Sequence, residues 1–469
     1  MWMLRCLNLR SPYTLCAPPV IFLALLIVNY QILDSSDIYE YGDLQIGNDR
    51  RHDFPKLSGN ITQEEIPFPI ILWWTHFTGE KGRIRTCGDD KCFTTNNRHY
   101  LEHKNLSVLL FYGTDFNTDD LPLPRKHEWG LLHEESPKNN YLMCHEDTIS
   151  LFNHSATFKR KSDVPLTTQY LKNLNDLTDL SHFKSTSKKN EHTLNNKLAL
   201  INYVHSDCEP PSDRDHLVEM LQQHLRVDSY GSCLHNKDLP SSLQDPLPNM
   251  DNPEFYELLS YYKFTLAFEN AVCEDYVTEK FWRPLIVGSV PIVFGSPSAI
   301  ELLPNAQSAI FIDNFDNIQD LVSLILRLNS SDDEYEQYLR HKTKQRITNP
   351  ILKSIMRDRE WGINDWNKPN FVDAFECTVC RRIHENIRRE QQGEQTRTYQ
   401  ANWNHYGCPK PLKFSDNPPG NLTRVEEAYW GEGWERSACV AKALKKLIES
   451  GQLFTQFDLF SLANELRFN

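Results

Sequence analysis

Apolar residues gather along this chain in short blocks separated by polar loops, and the longest block comes first. Residues 11–33 carry no charge, and 20–28 (VIFLALLIV) are apolar throughout. Arg5 and Arg10 precede the block; Asp34, Asp37 and Glu40 follow it. About 20 apolar residues cross a bilayer, so this is a marginal span, interrupted by Pro18, Pro19, Asn29 and Gln31. Positive charge on the N-terminal flank keeps that end cytosolic. No small-x-small site closes the run, which favours an anchor over a cleaved signal peptide. Residues 1–12 then form a cytosolic tail, 13–33 a transmembrane signal anchor and 34–65 a polar, acidic stem.

Beyond the stem the pattern changes to short buried strands. PFPIILWW after Ile66, VLLFY at 108–112 and residues 149–152 read as strands of a region reaching about Tyr170. Residues 184–197 are lysine-rich without a core period and read as a linker or exposed loop. From residue 198 strands and helices alternate. Strands are expected at 198–204, 226–230, 264–268, 290–294 and 309–312, and helices at 216–225, 276–287 and 318–328, with Gly288 at a C-cap. Such alternation predicts an α/β fold with a parallel, doubly wound sheet, whose ligand lies beyond the carboxyl ends of its strands. A cysteine-bearing helix follows at 371–389, and 391–469 reads as an extension, polar and irregular until 426–462.

A chain of 469 residues exceeds one ordinary core and predicts two or three domains. Net charge −13 argues against a nucleic-acid partner, though a local basic pocket for a phosphorylated ligand is compatible with it. Of 12 cysteines, all but Cys6 and Cys16 lie beyond the anchor, and N-x-S/T sequons fall at Asn60, Asn105, Asn153, Asn329 and Asn421. Both signals agree with an oxidising lumen. A single-pass type II protein of the Golgi or endoplasmic reticulum membrane is expected, its body lumenal.

Candidate chemistry concentrates in FENAVCEDYVTEK, residues 268–280. A strand ends at Phe268, and a helix is expected from near Asp275, an available N-cap. Glu269 and Asn270 sit at the strand's carboxyl end. Tyr276, Glu279 and Lys280, at i, i+3 and i+4, would share a face of the first helical turns. A helix N-terminus draws anions, and a lysine there adds a point charge for phosphate. On spacing alone, the same residues also read as a surface Glu–Lys pair beside a core tyrosine. Arg214, in SDCEPPSDR, reads alone as a surface arginine between Asp213 and Asp215.

The stretch FENAVCEDYVTEKFWRPLIVGSVPIVFGSP resembles the signature of the α-1,3/4-fucosyltransferases, glycosyltransferase family 10: FEN, a short gap, DY-[IV]-TEK, a helix, then G-x-VP-[IV]. The likeness runs from about Ile70 to Cys380. It implies a GT-B architecture, two Rossmann-like domains facing across a cleft. The acceptor-side domain would be 66–190, the GDP-fucose-binding domain 191–365, and 366–390 a helix returning to the first. It implies inversion at the anomeric carbon, GDP-fucose as donor substrate, no cofactor and no metal for chemistry. By motif position Asn270, Tyr276, Glu279 and Lys280 become donor ligands. Arg214 takes the place of the basic residue against the diphosphate, where it and Lys280 would offset the charge of departing GDP. HEESP, residues 133–137, resembles the family's E-S-P element, whose glutamate is the proposed base. That is Glu135, with Glu134 the second choice. Residues 153–165 resemble NxT/S…R-x-SD-x-x-P without the aromatic after the sequon, which makes Arg160 an outer donor-site candidate. Asp213 and Asp215 also match the D-x-D that holds a metal in other glycosyltransferases, so a metal-dependent enzyme is the competing class.

Cys87-x4-Cys92 and Cys377-x2-Cys380 could be read as zinc ligands, but an oxidising lumen favours disulfides. The resemblance implies that the first pair bonds to the second, in an order left open. Cys208 and Cys233 are a further candidate bridge; Cys144, Cys273, Cys408 and Cys439 are left unassigned. FYGTDF, LPLPR, HEESPKNNY and SDC-x-PPSDRD are similar to the divergent vertebrate branch numbered ten and eleven. That likeness leaves the acceptor open between glycan and protein; the extra segments could supply a wider interface, which favours O-fucosylation of Ser/Thr on small disulfide-rich EMI-type domains. The alternatives are GlcNAc of N-glycans as acceptor, or an inactive lumenal lectin or chaperone.

Overall fold

The strand signals resolve into two main sheets. The computed structural model describes residues 66–77, 82–195, 197–244 and 251–468. The expected tail, anchor and stem, with Asn60, lie outside these residues. Among the described residues no helix is long and apolar enough to cross a membrane.

The first sheet has seven strands: β1 (Ile70–Thr75), β2 (Arg83–Cys87), β3 (Asp90–Thr95), β4 (Leu106–Tyr112), β5 (Glu128–His133), β6 (His154–Thr157) and β7 (Val164–Pro165). Their order is β2-β3-β1-β4-β5-β6-β7. All neighbours are parallel except the β2–β3 hairpin. Near-continuous apolar runs such as IILWW and VLLFY suit a parallel sheet covered on both faces. Because side chains alternate, β1 divides between two cores. Ile71 and Trp73 pack with Val372, Phe375 and Val379 of the Phe371–Gln391 helix. Ile70 and Leu72 belong with Val440, Leu444 and Leu459 of the last two helices, Ala428–Glu449 and Gln456–Phe468. Each such buried side chain contributes about 1.5–3 kcal/mol. The extension is therefore one face of this sheet's core and not an appendage.

The second sheet is wholly parallel, β12-β11-β10-β8-β9, built from β8 (Ile201–Tyr203), β9 (Val227–Ser229), β10 (Phe264–Phe268), β11 (Val290–Phe294) and β12 (Ile310–Phe311). Leu217 and Leu221 of the Arg214–Gln222 helix and Leu321 and Ile325 of the Ile318–Ser330 helix cover one face. Phe281, Trp282 and Leu285 of the Glu279–Val287 helix cover the other. A small antiparallel pair from the extension, β13 (Leu412–Phe414) with β14 (Arg424–Glu426), adds Phe414 to the first of these cores.

Three local expectations change. Residues 149–152 are not a strand: a helical turn, Glu146–Ile149, leads into β6. Residues 184–197 hold a helix, Thr186–Leu194, capped by Ser185. It forms because Lys189, fully buried, donates to the carbonyls of Ser260 and Tyr262. The helix expected from 276 starts at Glu279, with Thr278 as its cap. Asp275 cannot cap it, since its backbone is left-handed (φ 67°) and its carboxylate is held by Arg160 and Ser298.

Cys87 bonds to Cys377 and Cys92 to Cys380, so two cysteines facing one way on the hairpin meet two a helical turn apart. Cys208 bonds to Cys233. Cys273 bonds to Cys408, a pairing the sequence left unread.

Candidate active site

The second sheet delivers its chemistry where β10 ends. Glu269, buried there, accepts from the Thr278 N–H at 2.8 Å and the Thr278 hydroxyl at 2.9 Å. This closes the 269–278 loop on itself. Gly295, after β11, has φ 155°, and a Cβ there would lie 2.8 Å from Glu269 Cγ, so only glycine permits the approach. Burial raises the Glu269 carboxyl to about 7, with Lys280 opposing. Lys280 Nζ is 3.0 Å from Glu279 Oε1 and 3.9 Å from Glu269 Oε2. Burial works against the Lys280 charge, but Glu279 and Glu269 outweigh it and raise its pKa. For Glu279 burial works upward, yet Lys280 and Arg283 hold it at about 2.

Arg214 opens its helix and is 1% exposed. It donates to the Phe268 carbonyl at 3.1 Å and the Asp207 carbonyl at 2.6 Å. His205 also reaches the Phe268 carbonyl, at 3.0 Å. Burial, then Arg214 and Lys280, push this histidine well below its ordinary pKa. Arg214 and Lys280 thus both disfavour a charge on His205. Arg214 Nε and Asn270 Oδ1 are buried there without a hydrogen-bond partner.

The first sheet supplies carboxylates just beyond β5. Tyr276 donates its hydroxyl to Glu135 Oε2 at 3.1 Å. Burial raises the Glu135 pKa, while Lys280 and the Tyr276 hydroxyl oppose it. Glu134, 7% exposed, turns instead to the Tyr112 hydroxyl at 3.1 Å. Burial, then neighbouring Glu135, raise it to about 8.

Other candidates lie elsewhere. Arg160 is engaged by Asp275 at 2.7 Å and Glu301 at 2.5 Å, tying β6's loop to the 275–301 region. Asp213 accepts from the Phe414 N–H at 2.7 Å; Asp215 accepts from the Tyr203 hydroxyl at 2.6 Å and the Glu209 N–H at 2.7 Å. The two aspartates thus serve different segments. Asn153 spends its side chain on Tyr399, Arg125 and Trp129. Asn105 donates to the Ile66 carbonyl, Asn329 accepts from Lys263, and Asn421 lies in the β13–β14 turn.

The extension reaches the same place. Tyr406, fully buried, donates to the main-chain carbonyl of Glu135 at 2.7 Å. Alongside, a cavity of about 390 Å³ is bounded by Lys138, Lys159, Ala271, Trp403 and Cys408. Sequence reasoning missed Tyr406. The one signal that pointed to it was Cys273, a cysteine inside the motif that needed a partner.

A partly buried lysine and a buried arginine near parallel strand ends, with a carboxylate of a second sheet on Tyr276, suit a glycosyltransferase of the nucleotide-sugar type, and the chain belongs to glycosyltransferase family 10, the fucosyltransferases. Residues 194–399 match "Glycosyltransferase family 10 (fucosyltransferase) C-term" and residues 67–170 match "Fucosyltransferase, N-terminal". The chain is 49% identical over 400 residues to GDP-fucose protein O-fucosyltransferase 3 of Gallus gallus, covering 84% of this chain and 83% of that one. It is 44% identical over 474 residues to the protein of that name in Rattus norvegicus, covering 96% and 97%. A solved α1,3-fucosyltransferase with GDP-fucose is 18% identical, with a TM-score of 0.36, over 53% of this chain and 72% of that one.

Proposed function

We propose that this chain transfers L-fucose from GDP-fucose to a serine or threonine hydroxyl of a polypeptide, with inversion at the anomeric carbon. The observation that carries this is the 3.1 Å contact between Tyr276 and Glu135, which sets a carboxylate of the first sheet against the donor motif of the second. Lys280 and Arg214 would hold the donor diphosphate and offset the charge gained by departing GDP. Asn270, with a free buried oxygen, and Glu279 would hold the rest of the nucleotide sugar. The acceptor oxygen attacks C1 of fucose and the bond from C1 to the β-phosphate oxygen breaks. GDP leaves with the electron pair, and the hydroxyl proton passes to Glu135. Glu134 accepts from the Tyr112 hydroxyl and not from Tyr276, which makes it the second choice for that role.

Relatives named GDP-fucose protein O-fucosyltransferase 3 support a protein acceptor. Small disulfide-rich domains of the EMI type are the acceptor class proposed. The chemistry needs no metal, because Lys280 and Arg214 supply the positive charge. The body works in the secretory lumen, behind an N-terminal anchor.

The test is turnover of GDP-fucose by purified protein on folded EMI-type domains and on N-glycan acceptors, with Glu135→Gln alongside and with excess EDTA. Expected are transfer to the protein acceptor, survival in EDTA, and a loss of at least about 100-fold in Glu135→Gln with GDP affinity kept. Transfer to glycan alone would replace the acceptor, and loss in EDTA would restore the metal-dependent class. A Gln variant that turns over normally would remove Glu135.

A further inference from the structure

Glu135 is held from two directions, and one of them begins 271 residues away along the chain. The Tyr406 ring stacks on His133 at 4.8 Å and 16° and packs against Phe158 at 4.9 Å. Phe158 also meets Tyr276 edge-on at 5.1 Å. Tyr276 holds the Glu135 carboxylate and Tyr406 holds its main-chain carbonyl, so two tyrosines sharing Phe158 grip both ends of one residue. They are also joined covalently: Cys273, just before Tyr276, is bonded to Cys408, just after Tyr406.

The segment carrying Tyr406 is itself fixed. The Thr157 hydroxyl donates to the His405 carbonyl, and the Gly407 N–H donates to the Trp403 carbonyl at 2.8 Å. A Cβ on Gly407 would lie 2.2 Å from the Trp403 ring. A buried tyrosine hydroxyl needs some acceptor, and many carbonyls would serve. This one instead fixes the residue whose carboxylate must stand within a few tenths of an ångström of its working position, on the general requirement of about 0.5 Å for a catalytic group.

We infer that Tyr406 is a positioning residue for Glu135, and that the Cys273–Cys408 bridge is the clasp that keeps both tyrosines on it. The inference rests on the reading of Glu135 as base. It makes the 403–408 segment of the extension a working part of the site.

The experiment compares Tyr406→Phe, Cys408→Ser and Glu135→Gln in the full chain. Tyr406→Phe keeps the ring and its packing. Expected is a fall in kcat of about 2- to 12-fold, the worth of one hydrogen bond, with the KM for GDP-fucose and the affinity for GDP unchanged. The acidic limb of the kcat–pH profile, set by the base, should move. Cys408→Ser should show the same pattern and carries the test should Tyr406→Phe not fold. Wild-type kcat with an unmoved limb, or a lowered melting temperature alone, would overturn the positioning role. If Glu135→Gln retains turnover, the base reading fails. If it is inactive while Tyr406→Phe matches wild type, only the role of Tyr406 fails.

Discussion

Lys280 Nζ stands 3.0 Å from Glu279 Oε1, so the cation at the head of this helix is kept charged and aimed by its own sequence neighbour. Replacing it leaves Glu279 and Glu269 facing an anionic ligand with their common cation gone. Lys280→Ala should weaken GDP binding by about 1.5–3 kcal/mol, roughly 10- to 150-fold. Titration calorimetry with GDP measures this, and unchanged affinity would take Lys280 off the diphosphate.

Glu134 gives a pH prediction. Its carboxyl stands near 8 in the fold against an ordinary value of 4.5. Between these values the folded chain holds a proton that the unfolded chain has released. This contribution is complete below about 4.5 and is lost as pH rises to about 8, at up to ~1.4 kcal/mol per pH unit. Glu134→Gln keeps an acceptor for Tyr112 and carries no proton. Melting curves should show the variant gaining on wild type from pH 5 to pH 8; parallel curves would mean that Glu134 ionises freely.

The hairpin bridges stabilise the grip of the Phe371–Gln391 helix on the first sheet. Removing Cys87–Cys377 by paired serine substitutions should cost about 2–5 kcal/mol. Calorimetry should show a lowered transition, while Cys439→Ser, at a cysteine in no bond, stays at wild type. A melting temperature equal to wild type in the paired variant would show that the helix needs no clamp.

Gly407→Ala tests the packing under Tyr406. The new Cβ would lie 2.2 Å from the Trp403 ring, an overpacking that costs about 1–3 kcal/mol. Reduced thermal stability with reduced turnover is expected, and wild-type values for both would show that the segment yields without consequence.

The second sheet was largely legible in the sequence because its elements are set by their own pattern. The strands at 264–268 and 290–294 occupy the residues expected, and Gly288 takes the left-handed C-cap. What escaped was set by distant partners. Lys189 looks like a solvent lysine until the Ser260 and Tyr262 carbonyls are brought over it. The helix at Glu279 starts late because Ser298 and Arg160 claim Asp275 first. Val440, Leu444 and Ile448 form an apolar stripe among charged residues, and nothing in that stripe says it belongs beneath β1. Within the site, the roles of Tyr276 and Glu135 came from the family resemblance, since spacing alone also fits a core tyrosine and an exposed polar loop. Tyr406 was not readable, since the turn that holds it is four residues long.

The bridges from Cys87 and Cys92 reach 290 and 288 residues ahead. At ribosomal rates of about 5–20 residues per second, the hairpin thiols wait roughly 15–60 s for their partners to be made. The last two helices, which cover the opposite face of β1, are translated later still. The first sheet therefore receives the covers of both its faces from segments made long after its strands.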